Sequence, residues 1–273
     1  MSGKHETWEA AVEWLKTQPE QLELVRACYF DDPLSEAADR YYASGEWEAV
    51  RRLTGPGHGR ALDVGAGLGI SSYALARDGW VVTALEPDPS AVVGAGAIRQ
   101  LAADSDLPIV VVEEWGEKLP FPDKTFDLVY GRQVLHHARD LATLCAEMAR
   151  VLKPNGMFLA TREHVIFRDV DLAVFLAKHP LHQIYGGENA YRLREYKNAI
   201  TAAGIRLTQV INPWASAVNL HPRSAKDIAD AIHARLPLVP AALLSPALLR
   251  QLGWLLRSPG TAYSFVGVRE DGE

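Results

Sequence analysis

The run Ala61-Leu62-Asp63-Val64-Gly65-Ala66-Gly67-Leu68-Gly69 restricts this chain more than any other segment. An apolar strand enters a glycine-rich turn, and Glu86 closes the next apolar run, Val81-Val82-Thr83-Ala84-Leu85. In an open α/β sheet this pairing makes a nucleoside site. Glycines let the backbone approach a ligand closely, and a carboxylate ending the second strand accepts hydrogen bonds from ribose hydroxyls. Glu86 stands close to the separation of about 20 residues expected of such an acid. A dinucleotide fingerprint would carry its third glycine at position 70, which is Ile, so Gly65, Gly67 and Gly69 read G-x-G-x-G instead. Asp63, at the strand end, would repel a pyrophosphate; it suits a cationic ligand group, or anchors the turn through backbone N–H groups. The reading is an adenosine-containing cofactor other than a dinucleotide. The plain alternative is a glycine turn joining a strand to a helix.

Further blocks follow in order. Leu119-Pro120-Phe121-Pro122-Asp123-Lys124-Thr125-Phe126-Asp127-Leu128-Val129-Tyr130 precedes Val134-Leu135-His136-His137, and Arg150-Val151-Leu152-Lys153-Pro154-Asn155-Gly156 comes last. In this order and spacing the chain resembles the class I S-adenosylmethionine-dependent methyltransferases, in particular the group carrying LPFPD…FDLV…LHH…RVLKPGG. The resemblance is close over about residues 58–165 and loose elsewhere. It implies an α/β, Rossmann-like sheet, mostly parallel with an antiparallel final strand, and S-adenosyl-L-methionine as cofactor.

Alternating strands and helices support a parallel sheet of βαβ units. Strands are predicted near 60–64, 80–85, 109–112, 126–131 and 157–161, then 205–211 and 262–268. Helices are predicted over Leu141 to Leu152, Asp169 to Lys178 and Glu188 to Ala203. Ahead of the glycine loop, Trp8, Ala11, Val12 and Leu15 recur at helical spacing. Residues 1–55 therefore read as helical; the resemblance implies an N-terminal cap over the cofactor, in which Tyr41, Tyr42 and Trp47 are candidates to close the site, and the plain alternative is a helical appendage packed on the sheet edge. Residues 56–273 read as the Rossmann-like domain, with substrate-side insertions near 165–190 and, Leu-rich and helical, 223–257. That second insertion is either a buried helical pair or a face for a homodimer or other partner.

A formal net charge of −6 argues against a nucleic-acid partner that depends on phosphate neutralisation. There is no run of 18 apolar residues, and the N-terminus does not read as a signal peptide, so a cytoplasmic protein away from membranes is expected. Cys28 and Cys145 are too few for a disulfide framework or a metal cluster and read as small core residues.

The resemblance implies the cofactor set. Gly65, Ala66 and Gly67 face the methionine part with Asp63 beneath them, Glu86 takes the ribose, and Pro87 borders the adenine. Where family members often carry an Asp for the adenine amino group, this chain has Trp115, which either stacks on adenine while Gly116 or Glu117 takes the hydrogen bond, or is an apolar plug. Arg132 is a candidate partner for the methionine carboxylate, with a surface arginine as the plain alternative.

A sulfonium methyl is already electrophilic, so positioning dominates, and a poorly acidic hydroxyl also needs a base. Ligands bind beyond the carboxyl ends of the strands, which makes His137, Glu163 and His164 the candidate catalytic residues. The segment from His179 to Tyr191 concentrates polar side chains around a Gly-Gly turn. His182, Tyr185, Glu188 and Asn189 suit a polyhydroxylated, sugar-like or natural-product acceptor, or else cap a helix. Asp169, Asp171, Glu163 and His182 are available to a divalent ion, but no ligand spacing stands out, so no metal is expected. The expected reaction is O-methylation of a small polar molecule. N- or C-methylation, or a non-methylating use of the cofactor, are the alternatives; a nicotinamide-dependent oxidoreductase is disfavoured by the glycine spacing.

Overall fold

The structure, a computed structural model, describes residues 5–271. Its strands are β1 (Arg60–Val64), β2 (Val81–Leu85), β3 (Ile109–Val112), β4 (Phe126–Arg132), β5 (Leu152–Ile166), β6 (Tyr191–Arg192), β7 (Ile205–Ile211) and β8 (Thr261–Arg269). They form one sheet in the order β3-β2-β1-β4-β5-β8-β7, with β6 added to β5. β1 to β6 pair in parallel, whereas β8 runs antiparallel to both β5 and β7. The chain leaves β1 towards β2 and β3 and returns on the other side as β4. A crevice must therefore open past the carboxyl ends of β1 and β4, where the connections diverge.

Both sheet faces are covered, which explains the nearly continuous apolar strands. On one face Ala61, Leu128 and Tyr130 pack with Tyr41, Trp47 and Leu75. On the other, Leu62, Val64 and Val129 pack with Met148 and Tyr196. The first layer comes from the N-terminal helices Leu34–Tyr42 and Gly45–Thr54 and from the helix Ile70–Arg77; the second comes from Leu141–Val151 and Leu193–Ala202. Local chemistry starts these helices where the sequence places them. The Ser44 hydroxyl accepts the Trp47 N–H at 3.1 Å, and the Asp140 carboxylate accepts the Ala142 and Thr143 N–H groups. At the N-terminus, the helix Trp8–Lys16 buries Ala11, Val12 and Leu15, the apolar stripe read from their spacing.

Two elements differ from expectation. The fifth strand extends to Ile166 and carries a β-bulge between Ala160 and Glu163, where Arg162 adopts φ 62°. The helix predicted from Glu188 begins only at Leu193, because the Arg192 N–H donates to Glu195 as the cap and Gly186 and Gly187 hold φ of 108° and 78° just upstream. Between β7 and β8 the Leu-rich stretch folds into the helices Ala225–Arg235 and Pro246–Leu252 around a small cluster of Ile228, Ala229, Leu244 and Leu249. Leu238, by contrast, is almost wholly exposed. Among the described residues no helix is long and apolar enough to cross a membrane.

Candidate functional site

The glycine turn bends as its sequence demands. Gly65 has φ 63°, and a Cβ there would lie 2.4 Å from Val134 Cγ2. Gly67 has φ 54° and nothing within 4 Å of the Cβ position, so its backbone faces open space. Glu86 holds this turn from the next strand. Its Oε2 accepts the Gly67 N–H at 2.8 Å and its Oε1 accepts the Asp88 N–H at 3.0 Å. Burial pushes the Glu86 carboxyl up, and these two donors oppose the rise. Asp63 is also buried, and burial raises it to about 6 against the pull of the Ser72 and Ser71 hydroxyls, which donate to Oδ2 at 2.7 and 2.8 Å. The alternative of Asp63 anchoring the turn through backbone N–H groups is therefore corrected: it ties the first turn of the following helix. Its other oxygen, Oδ1, is buried without a hydrogen-bond partner.

Two cavities meet at this turn. One, of about 320 Å³, is lined by Glu86, Pro87, Trp115, Gly116 and Glu117. The other, of about 500 Å³, is lined by Arg132, Arg162, His136, Tyr185 and Glu188. Trp8, Gly65, Gly67, Val93, Gln133 and His137 line both. Residues scattered over more than 100 positions thus fall into one continuous groove above the carboxyl ends of β1 and β4. In the smaller cavity the Arg139 guanidinium lies 4.0 Å from the Trp115 ring centre and covers one side of it.

The floor of the larger cavity is a buried charge cluster that sequence reasoning missed. Arg132 is no surface arginine. Its Nε and Nη2 donate to Glu46 at 2.7 and 3.2 Å, and Arg162 reaches the same carboxylate at 3.3 Å. Glu46 is 1% exposed. Burial pushes its carboxyl up, but the two guanidinium charges prevail and hold it below the usual range. Two cations share one anion, which leaves a net positive charge under the cavity. Nothing local in Gly45-Glu46-Trp47 signals this; the partner lies 86 positions away. Cys28 also lines this cavity, and burial lifts its thiol to about 11, so it stays protonated at neutral pH.

Histidines gather on the opposite wall. Glu163, though next to His164 in sequence, does not contact its ring nitrogens. The bulge at Arg162 turns its carboxylate to the connection after β4, where it accepts the N–H groups of Val134, Leu135 and His136 and contacts His136 Nδ1 at 2.7 Å. His164 Nδ1 instead donates to the Gly260 carbonyl at 3.1 Å, and His137 Nδ1 to the Gly187 carbonyl at 3.2 Å. Burial pushes His164 down to about 3 and His179 down to about 4, and lowers His136 and His137 as well. All four are neutral at pH 7. Burial also raises Glu163 and Glu188 to about 7 each.

Residues 62–160 match a family described as "Methyltransferase domain". The ubiquinone biosynthesis O-methyltransferase of Rhizobium leguminosarum bv. trifolii is 27% identical over 169 residues, covering 59% of this chain and 66% of that protein. Among solved structures, the [4+2]-cyclase SpnF superposes with TM-score 0.58 at 21% identity, over 87% of this chain and 82% of that one. The geranyl diphosphate C-methyltransferase of Streptomyces coelicolor A3(2), in complex with Mg²⁺, geranyl diphosphate and S-adenosyl-L-homocysteine, does so with TM-score 0.59 at 14% identity, over 95% and 87%. Residues 62–160 thus match a methyltransferase domain, and the sheet that carries them has the fold of these solved structures. The chain spans just under two thirds of the length of that curated O-methyltransferase.

The methyltransferase match contains the glycine turn, Glu86, Trp115 and the His136-His137 pair, and it ends before Glu163, His164 and Glu188. The larger cavity is thus built in good part by segments outside it, among them the helix Trp8–Lys16 and the 179–188 segment with its short helix Pro180–Ile184. Several expected site residues lie off the cavity walls. His164 sits behind His136, with ring centres 4.6 Å apart; Asn189 bonds to Tyr191; His182 lies beside His179. Tyr41 and Trp47 are buried in the core, and Tyr42 donates to Asp78, so none of the three closes the site. Trp8, whose ring packs 5.4 Å from Tyr185, does border both cavities. Its place on an apolar helical stripe disguised it as core.

Proposed function

We propose that the protein transfers the methyl group of S-adenosylmethionine to a hydroxyl oxygen of a small polar molecule held in the larger cavity. The observation that carries this reading is the junction of the two cavities at Gly65, Gly67 and His137. The chain's residues fit the cofactor. Glu86 presents a carboxylate with unused lone pairs beside the exposed Gly67 backbone, and the orphaned Oδ1 of Asp63 suits an ammonium group. Arg132 and Arg162 suit a carboxylate. When bound, S-adenosylmethionine supplies an electrophilic methyl group.

The base in this proposal is His137 rather than His164. A carbonyl oxygen accepts only, so the Gly187 contact puts the His137 proton on Nδ1 and leaves Nε2 free to take one from a hydroxyl. Glu163 acts as a positioning residue, because it gathers the N–H groups of the turn that carries His137. Tyr185 and Glu188 bind acceptor hydroxyls. Residues ahead of position 55 act as a cap, since Trp8, Leu24 and Phe30 line the larger cavity.

The test is incubation of the purified protein with S-adenosylmethionine and a panel of hydroxylated and amino acceptors, following S-adenosylhomocysteine release and product mass. O-methylated product supports the reading; methylation only on nitrogen or carbon, or turnover of the acceptor without a mass gain, overturns it. Glu86→Ala is expected to weaken S-adenosylhomocysteine binding roughly 10- to 100-fold in calorimetric titration, the worth of about one charge-assisted hydrogen bond. Unchanged binding would remove Glu86 from the cofactor site.

A further inference from the structure

We infer that His136, His164 and Glu188 form a binding site for one divalent transition-metal ion on the wall of the acceptor cavity. One donor atom from each of the three lies within 4.8 Å of the others. The inference rests on hydrogen bonding as much as on proximity. His136 Nδ1 faces the Glu163 carboxylate at 2.7 Å, and His164 Nδ1 faces the Gly260 carbonyl at 3.1 Å. Both partners are acceptors, so both Nδ1 atoms carry the proton and both Nε2 atoms present bare lone pairs. Metal-binding histidines are oriented in this way, with the distal N–H donated to a carboxylate or a backbone carbonyl.

Glu188 adds a third lone-pair donor. Its Oε2 lies 3.7 Å from His136 Nε2, and its Oε1 lies 3.8 Å from His179 Nδ1. These separations are too long for hydrogen bonds. Two ligands, each about 2.0–2.2 Å from a tetrahedral ion, stand about 3.4 Å apart, close to what is seen. Glu188 Oε2 and His179 Nδ1 are buried without hydrogen-bond partners. Polar atoms that converge on one point at distances too long for hydrogen bonds leave room for a cation. Glu188 follows Gly186-Gly187, so its carboxylate can adjust to one.

Two imidazoles and one carboxylate favour an ion from iron to zinc in the first transition row over Mg²⁺ or Ca²⁺, which prefer all-oxygen sets. Three protein ligands leave positions open, and His136 and Glu188 both face the larger cavity. Resting on the proposed O-methylation, the ion would bind an acceptor hydroxyl there and favour its deprotonation. The Asp169 and Asp171 carboxylates weighed from sequence take no part, being paired with Arg192 and Arg168.

The test is to strip the full-length protein with a chelator and titrate Co²⁺, reading visible absorption and metal content after desalting. One Co²⁺ per chain is expected, with His–carboxylate ligand-field bands displaced by Zn²⁺. Glu188→Gln and His164→Ala should each abolish the bands, and Glu163→Gln should weaken binding about 10- to 100-fold through the His136 contact. S-adenosylhomocysteine titration of the same samples separates this site from the methyltransferase reading, because Glu86, Trp115 and Gly116 line only the other cavity. Absence of Co²⁺ bands in folded protein that binds S-adenosylhomocysteine would overturn the metal site alone. Bands that survive in Glu188→Gln would overturn the ligand set, and circular dichroism of each variant confirms that it is folded.

Discussion

Replacing His137 with alanine is expected to lower kcat by roughly 10²- to 10⁴-fold, the usual contribution of a positioned base, while S-adenosylhomocysteine affinity falls far less. The asymmetry follows from the site. His137 is one of several residues around the cofactor-side cavity, but among the residues shared by both cavities it alone offers a titratable nitrogen. Burial lowers its pKa below 6.5, against the Gly187 contact and the Glu163 charge, which raise it. A base works when unprotonated, so wild-type kcat should hold level through neutral pH and fall only in acid, below pH 6.5. That acid limb should vanish in His137→Ala. His137→Asn, which can keep the Gly187 contact, should be as inactive if proton removal is the role. Recovery of activity in the Asn variant would instead mean that His137 serves to hold the 187–188 loop.

The smaller cavity was far more legible in the sequence than the larger one, and the reason is physical. Gly65, Gly67 and Glu86 are set by adjacent parallel strands whose turns leave local marks: positive φ needs glycine, and an acid closes the next strand. Period-2 and period-3.6 patterns likewise place β1, β2 and the helix Leu141–Val151 with little error. The histidine wall has no local mark. It exists because one extra residue at Arg162 redirects Glu163 from its neighbour His164 to His136, 27 positions away. A non-glycine residue at φ 62° is not announced by composition, since the surrounding structure imposes it: the Arg162 N–H donates to Ser264 and its guanidinium to the Val218 and His221 carbonyls. The helix expected from Glu188 failed for a related reason. The apolar pattern continues upstream, but Gly186-Gly187 and the Arg192 cap decide where the helix starts, and the freed Glu188 enters the cavity.

Glu46 was equally invisible, and it carries the largest expected effect on stability. Glu46→Ala leaves Arg132 and Arg162 as two unpaired cations under the cavity, and breaking a buried pair from one side typically costs about 3–5 kcal/mol. At about 2–4 °C per kcal/mol for a chain near this size, Tm at pH 7 should fall by roughly 6–20 °C. The pH dependence has a definite sign. The folded Glu46 carboxyl titrates below its usual 4.5, so its stabilising contribution is complete above pH 4.5 and is lost as pH falls through the lower folded value. Wild-type and Glu46→Ala melting temperatures should therefore converge in acid. A gap that stays constant with pH would show that the loss is one of packing rather than charge. Glu46→Gln separates the two further: it keeps the shape and one acceptor for Arg132 while removing the charge. It should fall between the other two at pH 7 and weaken S-adenosylhomocysteine binding little, because Arg132 and Arg162 would both stay at the cavity wall.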